Sequence, residues 1–430
     1  MGTRTSHEAE AADDAVNVAV NADITADVAV IGGGVIGHGI AFEASRAGRS
    51  VVLIDDAPGS GASWAAAGML APVSELHYQE EQLLELMLES SRLWPAFAAA
   101  IDAAASLETT APGSATGTGY VTTPTLAVGA DAADRRALAD LRLAQQACGL
   151  TVEPLTVREA RGREPLLSPA ISCAFDIPAD HQVDPRLLVA RLGELLDAEG
   201  RNSFVRRRAA GLLWEGGRVA GVRLTGGGSV RATETVVANG LGAATLDGLP
   251  PGLVLPLRPV YGDILRLRVP GHLRPLVTAT VRGMVRGVPV YIVPRQDGTV
   301  VIGATQREDG PVHPHAVSAG GIYQLLRDAQ QLVPAVAELE LLEATARARP
   351  GTPDNAPLLG RAADPDGGDV SGLIIATGFF RHGVLLTPAA AAVARQLIDG
   401  TSDPRWEGFR PDRFSRVPGA SGDSPTKEAA

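Results

Sequence analysis

Residues Asp27–Gly37 read DVAVIGGGVIG, and this stretch decides the fold. DVAVI is a short run of β-formers. The glycines follow at once, and Val35–Ala47 reads as a helix that Gly48 ends. SVVLI, residues 50–54, is a second strand with Asp55 directly after it. Strand, helix and strand at this spacing make a βαβ unit with a parallel sheet. Inside it lies Gly32-x-Gly34-x-x-Gly37, with Val35 and Ile36 as the intervening residues. Alone, that motif is weak. Here it follows a strand and opens a helix, and an acidic residue stands 23 positions after Gly32. That context identifies a dinucleotide site. Gly32 permits the tight turn, Gly34 lets the backbone approach a pyrophosphate, and Gly37 lets helix and strand pack closely. The helix N-terminus presents N–H groups to phosphate charge. Asp55 would accept hydrogen bonds from a ribose hydroxyl, and the neighbouring Asp56 is assigned to the same site.

Composition narrows the chemistry. The chain has 430 residues, 45% hydrophobic and 20% charged, enough for a large core in more than one structural unit. Its 38 basic and 49 acidic residues give a net charge of −11, which argues against a nucleic-acid partner. Lys427, close to the chain end, is the only lysine. It cannot credibly serve as a Schiff-base nucleophile, and no lysine is available for a P-loop. Any positive charge in an active site must therefore be arginine. Cys148 and Cys173 do not make a disulfide framework, and nothing near them has metal-ligand spacing. A reducing, cytoplasmic setting without a metal is expected. His313 and His315 flank Pro314 in a loop and read as solvated. No apolar run reaches the roughly 18 residues of a spanning helix, and the acidic, alanine-rich N-terminus lacks the form of a secretory signal.

The fingerprint does not choose between FAD and NAD. The downstream sequence does. GASWAAAGM brings a small-residue loop soon after Asp55, and IIATGFF places a second strand and glycine turn near the C-terminus. Asp27–Met69 and Gly372–Leu385 resemble the D-amino-acid-oxidase-like FAD amine oxidases. Within that group the resemblance is to the glycine oxidases of thiamine biosynthesis. GASWAAAGML, HQVDPRLL, YIVPRQDGTVVIGAT, RPGTPDNAPLLG and FFRHGVLLTPA carry it, from about Asp27 to Gly400.

The resemblance implies an α/β (α+β) protein, with a Rossmann-like FAD-binding domain and an interleaved antiparallel-sheet substrate domain. We expect a disordered extension over 1–26 and FAD-binding segments over 27–110, 175–245 and 344–400. Substrate-domain segments are expected over 111–174 and 246–343, followed by a tail over 401–430. FAD would be bound without a covalent link, since Ala65 precedes AAG and neither cysteine is C-terminal. Ala62, Ser63, Ala67, Gly68 and Met69 would meet the flavin, and Ala209 would touch the adenine side. Gly378, Phe379, Phe380, Arg381, His382, Gly383, Val384 and Leu385 would run past the ring. Arg206–Arg208 reads as an exposed strand end.

The family moves hydride from the substrate Cα to the flavin, so the protein must hold and aim the substrate. By resemblance, Arg349 of RPG clamps the substrate carboxylate, as a planar guanidinium does with two parallel hydrogen bonds. Tyr291 of VYIVPR adds an O–H bond, Arg381 lies near substrate and flavin, and Met69 faces them. The implied activity is oxidation of glycine or a similar small amine to the imine, giving glyoxylate and ammonia. Oxygen would be reduced to hydrogen peroxide. A homo-oligomer and hand-over of the imine to thiazole synthase are also implied. A D-amino-acid or secondary-amine dehydrogenase remains open, and so does a flavin-binding protein without turnover. The chain departs from the family at Tyr261, Pro289, Arg347, Phe379 and Asn239, which leaves room for a different amine. Tyr261 stands where relatives are basic, which removes one cation that could activate oxygen.

Overall fold

A computed structural model describes residues 24–78, 80–108, 117–308, 313, 315–364 and 367–415. The chain opens with β1 (Ile24–Ile31), α1 (Val35–Arg46) and β2 (Val51–Ile54), the expected βαβ unit. β3 (Met69–Leu70), α2 (Glu81–Glu108), β4 (Thr125–Gly129), α3 (Ala132–Ala147), β5 (Glu153–Leu155), α4 (Val157–Arg163), β6 (Cys173–Ile177) and β7 (His181–Gln182) follow. Next come α5 (Pro185–Ala198), β8 (Ser203–Val205), β9 (Ala209–Glu215), β10 (Arg218–Leu224) and β11 (Ser229–Val237). The later elements are β12 (Arg258–Arg268), β13 (Val281–Val285), β14 (Val288–Pro294), β15 (Thr299–Gly303), α6 (Ala319–Leu332), β16 (Glu340–Gly351), β17 (Leu358–Gly360), β18 (Leu373–Thr377) and α7 (Thr387–Ile398).

One sheet has the order β17-β18-β11-β1-β2-β8, with β10 and β9 added beside β11. Its central strands are parallel and almost wholly apolar, because both faces are covered. On one face α1, α2, α5 and α7 bury Ile40, Met87, Trp94, Leu192 and Ala390. On the other, Leu212, Val222, Leu246 and Leu255 form a second core. A Cβ on Gly37 would collide with the Gly32 carbonyl oxygen, so the close helix–strand contact read from the motif is present.

The other large sheet has the order β16-β12-β15-β14-β13-β4-β6-β5 and is mostly antiparallel. Its strands alternate sides. Leu265, Ile292 and Ile302 pack against Leu325, Ala329 and Leu332 of α6. Ile264, Val293 and Val301 face the opposite way, against Ala65 and Ala67. β3 and β7 pair as a separate antiparallel ribbon.

Several expected boundaries move. β1 starts at Ile24, because Ile24–Ala26 pair with Val230–Ala232, a partner that local composition cannot reveal. Residues 1–23 lie outside the described residues. The first substrate segment extends through Ile177, since β6 pairs with β4. The second extends through Gly351 rather than 343, because all of β16 pairs with β12. Residues 401–415 are part of the fold: two short 3₁₀ turns follow α7, and Trp406 and Phe409 enter the helix-side core. Residues 416–430 lie outside the described residues. Phe409 is 1% exposed, so Phe409→Ala should destabilise the protein by about 3–5 kcal/mol. An unchanged melting temperature would show that this segment does not support the core.

Candidate active site

A cavity of about 920 Å³ lies between the two large sheets. One end is the turn after β1. Gly32 has φ +109°, and a Cβ there would sit 2.6 Å from the Ala238 backbone, so no side chain fits. Gly32, Gly34, Val35, Ile36 and Asp55 line this end. Gly34 at the helix N-cap provides no capping side chain, and the Val35 N–H donates to the Ser63 hydroxyl at 3.0 Å. The bare helix start and polar wall fit the pyrophosphate of FAD. Asp55 also braces the turn, accepting from the Gly33 and Ala57 N–H groups at 2.6 and 2.8 Å.

Two of the expected residues lie off the cavity lining. Asp56 does not line the cavity; it is exposed and pairs with Arg208 at 2.6 Å. Ala209 is absent from the lining too; it opens β9, pairs with Leu224 and packs against the second core. Gly37 lies beneath the turn as packing and does not face the cavity.

The middle of the cavity is walled by Ala62, Ser63, Ala67, Gly68 and Met69 on one side. Gly378, Phe379, Phe380, Arg381, His382, Gly383, Val384 and Leu385 wall it on another. The Gly68 carbonyl accepts the Val183 N–H at 2.8 Å. Arg295, which the sequence reading missed, holds the first wall to the substrate sheet. Its Nη2 donates to the Ala67 carbonyl, and its Nη1 to Gln182 Oε1 at 3.2 Å and the Val183 carbonyl at 3.3 Å.

At the far end Arg349 and Tyr291 face the cavity. Their neighbours are glycines for a steric reason. A Cβ on Gly262 of β12 would collide with the Arg349 guanidinium, and one on Gly303 of β15 with the Tyr291 hydroxyl. Both side chains therefore lie flat over bare backbone. Neither has a hydrogen bond or ion pair among the described residues. Burial raises the Tyr291 pKa, partly opposed by Arg349, so the hydroxyl stays a donor.

Arg381 also reaches this end, but it is not free. Its Nε lies 3.5 Å from Glu75 and its Nη2 3.9 Å from Glu80. Glu75 takes a hydrogen bond from Arg282 as well. Burial alone would raise the Glu75 pKa, yet Arg282, His77 and Arg381 hold it well below the usual range. Asp180 fixes the turn that carries Glu75, accepting from the Val73 and Ser74 N–H groups at 2.9 Å each. Burial pushes the Asp180 pKa up to about 6.

Sequence reasoning missed Glu75, Arg282, Asp180 and Arg295. One signal was available. Arg286 and Gly287 both have positive φ and form a two-residue hairpin turn. Counting outward from it sets Arg282 opposite Tyr291. Of the departures, Pro289, Arg347, Phe379 and Asn239 line the cavity and Tyr261 does not. Tyr261 sits on the other face of β12, so the lost basic residue does not alter charge inside the cavity.

His382 is 2% exposed, and burial moves its pKa from the ordinary 6.5 to about 4. The folded state thus refuses a proton that the unfolded chain takes up below pH 6.5. Stability from this group is complete above that pH and falls as acid carries the protein toward pH 4. Between about pH 7.5 and about pH 5 the loss is about 2 kcal/mol. His382→Asn should remove that share of the acid-induced fall in melting temperature. Equal falls in both proteins would contradict the assignment.

Comparison with known proteins agrees with the cavity. The family described as DAO, FAD dependent oxidoreductase, matches residues 27–397. A bifunctional protein ThiO/ThiG from Trichormus variabilis is 32% identical over 91% of this chain. The chain spans only 56% of that relative's length. The glycine oxidase of Geobacillus kaustophilus is 33% identical over 87% of this chain and 93% of its own. Its crystal structure superposes with a TM-score of 0.78 at 30% identity, covering 91% of this chain and 99% of that one. With the glycine turn, the acidic brace and the family match in agreement, the chain belongs to the DAO family of FAD dependent oxidoreductases.

Proposed function

We propose that this protein oxidises glycine, or a small amine close to it, to the imine. The observation that carries the reading is the pair Arg349 and Tyr291, unpaired and converging at one end of a dinucleotide cavity. Arg349 would take the substrate carboxylate through two parallel hydrogen bonds, and the Tyr291 hydroxyl would donate a third. That anchorage fixes the direction of the Cα–H bond, the main task left to the protein. Met69, packed with Ala65, Ala67 and Tyr291, would wall the opposite side and exclude water. FAD, when bound, would supply the two-electron acceptor, with oxygen as the final acceptor and hydrogen peroxide as the product. The imine then hydrolyses to glyoxylate and ammonia, or passes to a thiazole synthase. The similarity to bifunctional ThiO/ThiG proteins supports the second route. Two unbridged cysteines support a cytoplasmic setting.

Arg282, Arg349 and Arg381 line the same cavity. Positive charge beside the flavin is therefore available to support oxygen reduction without a lysine. This favours an oxidase over a dehydrogenase. The open clamp weighs against a flavin protein without turnover.

The test is anaerobic stopped-flow reduction of the holoenzyme by glycine, sarcosine and D-alanine, followed by oxygen uptake. Arg349→Ala should raise the KM for glycine and slow flavin reduction by about 100-fold, because the clamp sets alignment as well as affinity. Unchanged reduction would refute the role of Arg349. No bleaching by any small amine would refute the function.

A further inference from the structure

The clamp end holds more charge than one substrate carboxylate needs. Arg282, Arg349 and Arg381 line it together with Glu75. Glu75 uses both oxygens. Oε1 accepts from Arg282 Nη1, and Oε2 lies 3.5 Å from Arg381 Nε. Of the three arginines, Arg349 alone has no carboxylate partner among the described residues. The acid is held in place. Asp180, fully buried, anchors the N–H groups of Val73 and Ser74, and the Glu75 N–H donates to the Ala71 carbonyl at 3.2 Å.

We propose that Glu75 is a specificity-determining residue that restricts the site to substrates bearing one acidic group. By pairing Arg282 and Arg381 it leaves a single free guanidinium, and it sets negative charge where a second acid would have to go. The proposal rests on the reading of Arg349 as the carboxylate clamp. The physical reason is like-charge repulsion between carboxylates within the protein, where Coulomb terms are stronger than in bulk water. Arg381 Nε and Nη2 have no hydrogen-bond partner, so the cationic surface exists, and Glu75 screens it. Glu75→Gln keeps the shape, removes the repulsion, releases Arg282 and leaves Arg381 with Glu80 as its one carboxylate neighbour.

The test uses FAD-loaded protein and no turnover. Acetate, malonate and succinate are titrated in, and binding is read from perturbation of the flavin absorbance. Wild type should bind acetate at least about tenfold more tightly than either dicarboxylate, a factor of the size expected for one unfavourable charge contact. Glu75→Gln should raise the dicarboxylate-to-acetate affinity ratio by about tenfold or more, and Glu75→Gln/Arg381→Gln should return it toward wild type. Equal wild-type affinity for acetate and a dicarboxylate overturns the proposal, and this arm stands even if the variants lose FAD. An unchanged ratio in folded, FAD-loaded Glu75→Gln overturns it as well. If acetate fails to perturb wild type, the clamp reading itself fails, an outcome distinct from either of these.

Discussion

The arrangement depends on one buried cation. The Arg295 side chain is 3% exposed, and burial lowers its pKa, opposed by Asp184 and Asp297. A guanidinium removed from water is costly unless its donors are met. Here Nη1 and Nη2 are met by oxygens that come from elsewhere in the chain, those of Ala67, Gln182 and Val183, and Nε lies 3.5 Å from an Asp184 carboxylate oxygen. Ala67 precedes the Gly68–Met69 wall, while Arg295 follows β14, the strand that carries Tyr291. One fork therefore ties the cofactor wall to the strand holding half of the clamp. A second tie lies farther out. Arg186 grips Glu343 of β16 through two bonds, at 2.9 and 2.8 Å, and stacks 3.6 Å over the Trp64 ring. Between these ties the two sheets cannot slide without breaking charge-assisted bonds, so the distance from clamp to cofactor is built into the fold.

Within that frame the proposed clamp is set apart by contrast. Arg282 is matched by Glu75, Arg307 by Asp263 at 2.6 Å and Arg361 by Glu234 at 3.0 Å. Arg349 is left over. An unpaired guanidinium is tolerable because it is half-buried and opens onto the cavity, where water or an anion can meet it. Gly262 and Gly303 make this possible. They remove two side chains from the sheet face, and Arg349 and Tyr291 lie in the space released.

What the sequence made legible follows the range of the interactions. Gly32, Gly34 and Asp55 could be read because turn, helix start and acid lie within one βαβ unit. That Arg349 and Tyr291 reach the same cavity could be read because short motifs carry them. Glu75 could not, since its meaning comes from Arg282, 207 positions away. Arg295 and Ala67 are 228 apart. Asp56 and Ala209 were misplaced for the converse reason. Adjacency to a motif does not say which way a side chain or strand end points: Asp56 turns out to Arg208, and Ala209 packs against the second core. The segment boundary near 343 fell short because β16 belongs to its partner β12, and pairing is a tertiary fact.

The departures from the family acquire direction once the cavity is drawn. By the family resemblance Pro289 replaces a histidine found in some relatives and Phe379 replaces another, and both line the cavity. Each removes a group that would titrate near neutrality. The shifts among the remaining groups run the same way. Glu75 is held ionised by Arg282, His382 is kept neutral by burial, and the Tyr291 hydroxyl is kept protonated. None of these three changes charge near neutral pH. The clamp end thus presents a fixed pattern: a free cation, a neutral donor and one compensated acid. Under the proposed amine oxidation, the proton that decides reactivity in such a site belongs to the substrate amine, which must lose it before hydride can leave Cα. The protein contributes a constant field and a constant angle, and both trace back to arginines in a chain whose only lysine lies near its end.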